Sequence, residues 1–544
     1  MNRTLLSALI FIAFPVMAIA QHGKKDKKDK DDQPPPPIEV VTPVQSATPT
    51  TPCDLKVHIK GLTGGKCELG NYYGDKQFIQ DSVTVDAQGN MEFKDSTLWP
   101  GGIYFIVLPN KKNFDIVLTD KQHFSIETDT TDLIGKMNFT GSDENKYFYE
   151  YLNYMSAEQK EMEGYQTKMK ATKNKDSIAI MQKKMTGVDS IVKKYKRDYY
   201  KTKHPETFMA EVLRAMDEPD QIPFSQFPKN AQGVIIDSSY NYWNFRNHYW
   251  DGVDFTDDRL VRSPVYSNKM KYYLDHLVPQ APDSIEAACD WLIAKTRPSK
   301  ELFKYTVYYC TYNYEVSKVM GYDAIFCHIV EKYYVTNQAW WVSAEQNKKI
   351  VDRAKNLEFT LIGTSAAPLI LQDTAGITKP LYSVNAKYTV VIFWDPTCSH
   401  CQKEVPLLKT YYDSLRKAGI SIQVYAVYSE LDYPAWKAYI KKNKLRWVNV
   451  AAKDAPALST SKYYYDVNST PTIYLLDQQK VIFGKRLDVD GLKAFLNRKI
   501  AEDKKKASAL PANKPIPGTT KSSSTVVAKK PTPAAQLPKT QVPH

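Results

Sequence analysis

The stretch Thr389–Pro406, TVVIFWDPTCSHCQKEVP, decides the fold of the C-terminal part of this 544-residue chain. Val390, Val391, Ile392 and Phe393 form an uninterrupted apolar run, the pattern of a strand buried on both faces, and Asp395-Pro396 ends it. The spacing predicts a helix beginning within the next few residues, with an inward stripe at Val405, Leu408, Tyr412 and Leu415. Cys398 and Cys401 then fall in its first turn, three residues apart and on one side.

That placement has a chemical consequence. A thiolate is the nucleophile of disulfide exchange, and the unpaired amides of a helix start stabilise negative charge there. Cys398 is the candidate for attack on a disulfide. Cys401, one turn deeper, would resolve the mixed disulfide, expelling the substrate as a thiol and closing a Cys398–Cys401 bridge. Two structural readings compete. Zinc needs four ligands, and Cys53, Cys67, Cys289, Cys310 and Cys327 supply no second close pair, so no metal is expected. An inert buried pair fits poorly between a buried strand and a helix.

Phe393-Trp394, Cys398-Ser399-His400-Cys401, Glu404 and Pro406 resemble the thioredoxin fold of the TlpA/ResA type, thiol:disulfide oxidoreductases of the bacterial envelope. The resemblance runs from about Phe359 to Ile500. It takes in Gly363, Ala367-Pro368, the hairpin residues Asp373 and Gly376, and Thr470-Pro471, where such proteins carry a cis-proline facing the dithiol. It implies a redox-active disulfide at Cys398 and Cys401, modulated by His400 and Glu404, with Trp394, Thr470 and Pro471 on the substrate side. No cofactor is implied. The chain departs from the pattern at Asp395-Pro396-Thr397, where many relatives have a small residue, Thr and Trp, and at Ile392, where thioredoxin keeps a buried acid, so proton handling is expected of Glu404 or Asp395. His400 favours a Cys398 thiolate and hence an oxidant, whereas Glu404 disfavours it. Glu404 and the flanking hairpin belong to the TlpA/ResA pattern, so a protein-disulfide reductase is expected.

Outward from this stretch, residues 1–20 read as a cleaved signal peptide, with Arg3 before an apolar run from Leu5 to Ile19 that ends in Ala18-Ile19-Ala20. The apolar length is short for a permanent span, and a periplasmic protein, soluble or peripherally tethered to the envelope, is expected. Residues 21–52, a Lys/Asp run followed by Pro34–Pro37 and a Thr/Pro-rich spacer, read as a disordered linker. Residues 53–142 alternate apolar and polar, as in Leu55, Val57 and Ile59, and predict an all-β, sandwich-like domain. Residues 143–357 predict a mainly α-helical domain. Its first two helices carry the stripes Phe148, Tyr151, Met155, Met162, Met169 and Met181, Met185, Val188, Val192, Tyr195, Tyr199. Tyr240, Tyr242, Trp243, Phe245, Tyr249 and Trp250 read as packing of that domain in preference to a carbohydrate or peptide platform. Both regions resemble modules that precede envelope thioredoxins, whose function that resemblance does not establish. Residues 358–500 form the α/β thioredoxin-like domain.

The formal charge of +13 is not a nucleic-acid signal, because residues 501–544 hold eight lysines against Glu502 and Asp503 in a basic tail too poor in apolar residues to bury a core. Hydrophobic residues at 43% suffice for real cores in the remainder. Cys289, Cys310 and Cys327 lie in predicted helices as buried thiols, with one pair free to bridge in an oxidising compartment. The expected partners are protein thiols and disulfides and, by the resemblance, a membrane-embedded electron donor. The alternative reading is an envelope binding or scaffold protein whose β and helical domains bind a partner. Peroxide reduction is weaker, since the Pro-x-x-x-Thr-x-x-Cys arrangement is absent.

Overall fold

The structure, a computed structural model, describes residues 53–509, with side chains to residue 506. The expected signal peptide, the linker and most of the basic tail lie outside the described residues.

The β region forms two four-stranded sheets. One has the order β4 (Asn90–Asp95), β1 (Cys53–Lys60), β7 (His123–Asp129), β8 (Asn138–Thr140), and the other the order β3 (Lys76–Thr84), β2 (Lys66–Tyr73), β5 (Gly102–Val107), β6 (Asn113–Leu118). Leu55, Val57 and Ile59 of β1 all point inward, as the alternation requires. β1 and β7 pair in parallel, with Leu55 opposite Phe124 and Val57 opposite Ile126, so this sheet is mixed.

Nine α-helices follow among the described residues: α1 (Asp143–Lys170), α2 (Lys175–Asp198), α3 (Phe208–Met216), α4 (Tyr240–His248), α5 (Pro264–Tyr272), α6 (Pro282–Lys295), α7 (Lys300–Glu315), α8 (Asp323–Ile329) and α9 (Ala344–Glu358). Side-chain oxygens of Ser142 and Asn174 cap α1 and α2. Met162, Val188 and Val192 form a small core between these two helices, with Met155 and Met185 packed on it, so the methionine stripe is packing. Tyr249 and Trp250 are buried among Tyr273, Phe255 and Tyr266, whereas Tyr242 and Trp243 remain partly exposed.

The sequence places a domain boundary at residues 142/143, but the core does not stop there. One continuous apolar cluster runs from Cys53 to Leu357. The buried Asn145 of α1 holds the sheet as a backbone strand would: its side chain accepts from the Val117 amide and donates to the Val117 carbonyl, both at 2.8 Å. The Tyr149 hydroxyl donates to the Asp115 carbonyl at 2.9 Å.

The C-terminal part is a seven-stranded sheet of order β10 (Thr378–Pro380), β9 (Ile370–Asp373), β13 (Val448–Ala451), β12 (Ile422–Tyr428), β11 (Tyr388–Trp394), β14 (Thr472–Leu476), β15 (Ile482–Lys485). Four helices flank it: α10 (Ser399–Lys417), α11 (Tyr433–Asn443), α12 (Ala455–Tyr464) and α13 (Val489–Ala509). β11 runs parallel to β12 and antiparallel to β14, and all seven of its residues are buried. Val390, Ile392 and Trp394 join one core and Val391 and Phe393 the other, which is why the run is continuously apolar. Each such side chain removed from water contributes about 1.5–3 kcal/mol. The stripe Val405, Leu408, Tyr412 and Leu415 seats α10 on the first of these cores.

The sequence begins the tail at residue 501, yet α13 continues to Ala509. Asp503 extends it, accepting from Tyr388 Oη at 2.7 Å and Lys499 Nζ at 3.0 Å, the latter at the i,i+4 spacing of a helix. Among the described residues no helix is long and apolar enough to cross a membrane.

Candidate active site

β11 delivers the chain to Asp395, whose carboxylate folds the next turn: Oδ1 accepts from the Thr397 amide at 2.9 Å and Oδ2 from its hydroxyl at 2.6 Å. The Cys398 amide donates to the Asp395 carbonyl at 3.2 Å, and α10 begins at Ser399. Cys398 is therefore the N-cap residue, one position outside the first turn in which the sequence places it. Gln402 Nε2 ties the turn down by donating to the Pro396 carbonyl at 2.9 Å.

The two thiols sit in unlike environments. All seven cysteines are unbridged in this structure. Cys398 is half-buried, and its Sγ lies 3.3 Å from the Thr470 carbonyl oxygen. Burial pushes its pKa up, but the Thr470 side chain, the amide and thiol of Cys401 and the His400 amide outweigh burial, leaving it below the ordinary thiol value. Thr470 acts in both senses, since its carbonyl favours the protonated thiol and its hydroxyl the thiolate; the net direction is downward. Cys401 is only 1% exposed, and burial pushes its pKa up to about 12, against a hydrogen bond from the Asp395 amide at 3.5 Å. One sulfur is reachable and easily ionised, and the other is enclosed and protonated.

Thr470 and Pro471 stand half-exposed on the loop before β14, joined by a cis peptide bond. His400 is exposed on the first turn of α10. Glu404, expected to handle protons for the sulfurs, commits Oε2 to the Val489 amide at 2.8 Å. It thereby caps the start of α13, where unpaired amides attract a carboxylate. Trp394 must be corrected as a substrate contact. Its side chain is 1% exposed, its ring packs 5.3 Å from that of Tyr439, and its indole nitrogen has no partner, because β11 directs alternate residues into the core beneath α10. Asp395, whose amide reaches Cys401 and whose carboxylate folds the turn, is more intimately involved than Trp394.

Elsewhere, Cys53, Cys67, Cys289, Cys310 and Cys327 are buried, and burial comes first among the causes that push Cys53 and Cys327 up to about 12 and Cys67 to about 11. These three are inert packing sulfurs. Among the described residues no three His, Cys, Asp or Glu side chains converge on a metal-sized site.

Comparison with known proteins agrees with this geometry. Residues 385–482 match the family described as thioredoxin-like, while residues 53–148 and 234–358 match two domains of unknown function, DUF4369 and DUF5106. The thiol-disulfide oxidoreductase ResA of Bacillus cereus is 24% identical over 124 residues, covering 23% of this chain and 68% of that protein. ResA of Bacillus subtilis is 26% identical over 126 residues, covering 22% and 67%. Among solved structures, a domain of a possible thiol-disulfide isomerase from Cytophaga hutchinsonii is 36% identical, covering 27% of this chain and 97% of that one, with a TM-score of 0.24. A thioredoxin-like protein from Bacteroides caccae is 20% identical, covering 51% and 99%, with a TM-score of 0.40. Residues 385–482 thus form a thioredoxin-like domain, similar to the ResA thiol-disulfide oxidoreductases and preceded by two domains of unknown function.

Proposed function

We propose that the protein is a periplasmic protein-disulfide reductase. The observation that carries this reading is the asymmetry of the dithiol: Cys398 is accessible with its pKa lowered, and Cys401 is enclosed with its pKa raised to about 12. The Cys398 thiolate attacks one sulfur of a substrate disulfide, forming a mixed disulfide and releasing the first substrate sulfur as a thiolate, which water protonates. Cys401 then gives up its proton to water and attacks Cys398 Sγ, which breaks the mixed disulfide and releases the second substrate sulfur as a thiolate that water protonates. Two electrons pass to the substrate, and a Cys398–Cys401 disulfide remains on the protein. The Thr470 carbonyl beside Cys398 offers an extended substrate segment a backbone acceptor.

Burial of Cys401 keeps the resolving thiol protonated until a mixed disulfide forms next to it. His400 is exposed and lowers the Cys398 pKa through its backbone amide, which weakens the argument for a strong oxidant. A reductase needs recharging, and a membrane-embedded dithiol donor is the proposed source, consistent with the apolar stretch Leu5–Ile19 that directs the chain to the envelope. The test is capture. Cys401→Ala is expected to accumulate mixed disulfides on Cys398 that dithiothreitol releases, and Cys398→Ser to accumulate none. Equal capture by both variants would remove Cys398 as the nucleophile.

A further inference from the structure

The loop facing Cys398 is held from outside its own domain. Asp466 follows α12 and opens the loop that leads to Thr470. Its φ is +45°, the left-handed position of a cap that closes α12, with the Asp466 amide donating to the Tyr463 carbonyl at 3.1 Å and the Val467 amide to the Lys462 carbonyl at 2.9 Å, so the backbone here is set locally and the side chain is left to bind elsewhere. The Asp466 side chain is 2% exposed and takes two arginines. Arg353 of α9 grips it with both arms of its guanidinium, Nη1 on Oδ1 and Nη2 on Oδ2, the latter at 3.2 Å. Arg486, just after β15, pairs with Oδ2 through Nη2. Asn468 Nδ2 donates to Oδ1 at 3.0 Å, which carries the clamp to within two residues of Thr470. Beside it, Asn356 of α9 donates to the Tyr463 carbonyl at the end of α12. Arg353 lies in the segment matched to a domain of unknown function, 113 residues from the carboxylate it holds.

We infer that Arg353 is a positioning residue for the redox site: through Asp466 it fixes the loop that sets Thr470 against Cys398, so the helical region governs how readily the dithiol reacts. This rests on the reading of Cys398 as the reactive thiol. A planar fork gripping both carboxylate oxygens fixes their orientation, whereas Arg486 alone leaves Oδ1 free to turn and take Asn468 with it. The half-buried Thr470 would then lose its register with the sulfur. The groups that act on Cys398 are Thr470, Cys401 and the His400 amide, with Asp395 in the preceding turn; Asp466 and its two arginines reach the sulfur only through the loop, by way of Asn468 and Thr470.

The experiment measures the alkylation rate of Cys398 against pH in the full chain, together with the equilibrium constant for oxidation of the dithiol by glutathione disulfide. Arg353→Gln leaves Asp466 paired with Arg486, so the buried carboxylate is not orphaned. It is expected to raise the midpoint of the alkylation profile by half a unit or more, read as about threefold slower alkylation below the midpoint. Asp466→Asn is expected to do the same, and combining the two should add nothing, as for members of one chain of contacts. Arg353→Lys keeps the charge without the fork and is expected to fall between parent and Arg353→Gln; should Arg353→Gln fail to fold, this variant must still show the upward shift. Asp323→Asn is the control. It breaks the ion pair from α8 to Lys485, a second link between the same two regions, while Lys485 keeps the Thr360 carbonyl at 2.9 Å, and the profile should not move. A parent-like profile in Arg353→Gln or Arg353→Lys, or an equal shift in Asp323→Asn, would overturn the inference. Alkylation needs no disulfide substrate, so this result is independent of whether the protein is a reductase.

Discussion

Selective alkylation of the two thiols tests the site's electrostatics directly. Cys401 is pushed up to about 12, and Cys398 lies below the ordinary thiol value of 9.0, so the gap is at least about three units. At neutral pH the thiolate populations then differ by roughly a thousandfold. A lower pKa also makes a weaker nucleophile, which returns about 20- to 30-fold over three units at a Brønsted slope near 0.4–0.5. The remainder is about 30- to 50-fold in favour of Cys398, before the near-complete enclosure of Cys401 slows it further. The assay is iodoacetamide labelling of the reduced protein at pH 7, quenched over time and read by peptide mass spectrometry. The Cys398 rate should rise with pH along a titration whose midpoint lies below 9, while Cys401 labels only as the protein unfolds. Equal rates, or Cys401 labelling first, would refute the assignment of attacking and resolving roles.

Three further outcomes follow from packing and charge. Trp394→Ala removes a 1% exposed side chain and is expected to cost about 3–5 kcal/mol in denaturant unfolding; Trp394→Phe should cost far less, because the indole nitrogen has no partner, and a raised KM at unchanged stability would restore Trp394 as a substrate contact. Glu404→Gln weakens the cap on α13 and should lower stability by about 1 kcal/mol, whereas an unchanged melting temperature would show that the Val489 contact contributes nothing. Asp115, with Oδ1 enclosed and unpartnered, has its pKa raised to about 7 by burial, although the residue as a whole retains some exposure. An acid whose folded pKa exceeds its unfolded value binds more protons when folded, so stability should fall as pH rises from about 4 to 7 and flatten above, by at most about 4 kcal/mol given that exposure. Asp115→Asn should remove the slope, and a variant with the parent's slope would contradict this.

The parts of the fold that could be read from sequence are those written in local pattern. β11 is uninterruptedly apolar because cores lie on both of its faces, and the stripe from Val405 to Leu415 announces α10 by its spacing. Cys398, Cys401, Thr470 and Pro471 meet because strand, turn and helix fix the first pair and β14, adjacent to β11, brings the loop that carries the second. What could not be read depends on contacts between distant segments. Trp394 looks available beside the dithiol until the alternation of β11 and the ring of Tyr439 enclose it. Nothing near Asn145 says that its amide replaces a strand partner for Val117 and fuses the β and helical regions into one core. Nor does any spacing link Arg353 to Asp466, since the pair exists only once the helical region packs on the thioredoxin-like domain. The extension of α13 into the lysine-rich tail depends likewise on Tyr388, far away in β11.

The central claim, electron flow from this dithiol to protein disulfides, is tested most directly by an equilibrium redox titration of the Cys398–Cys401 pair in the full chain. A reductase should titrate near thioredoxin's value of about −270 mV, and a value near the strongly oxidising −120 mV or so would contradict the account and assign the opposite direction, since 30 mV corresponds to about 1.4 kcal/mol for this two-electron couple.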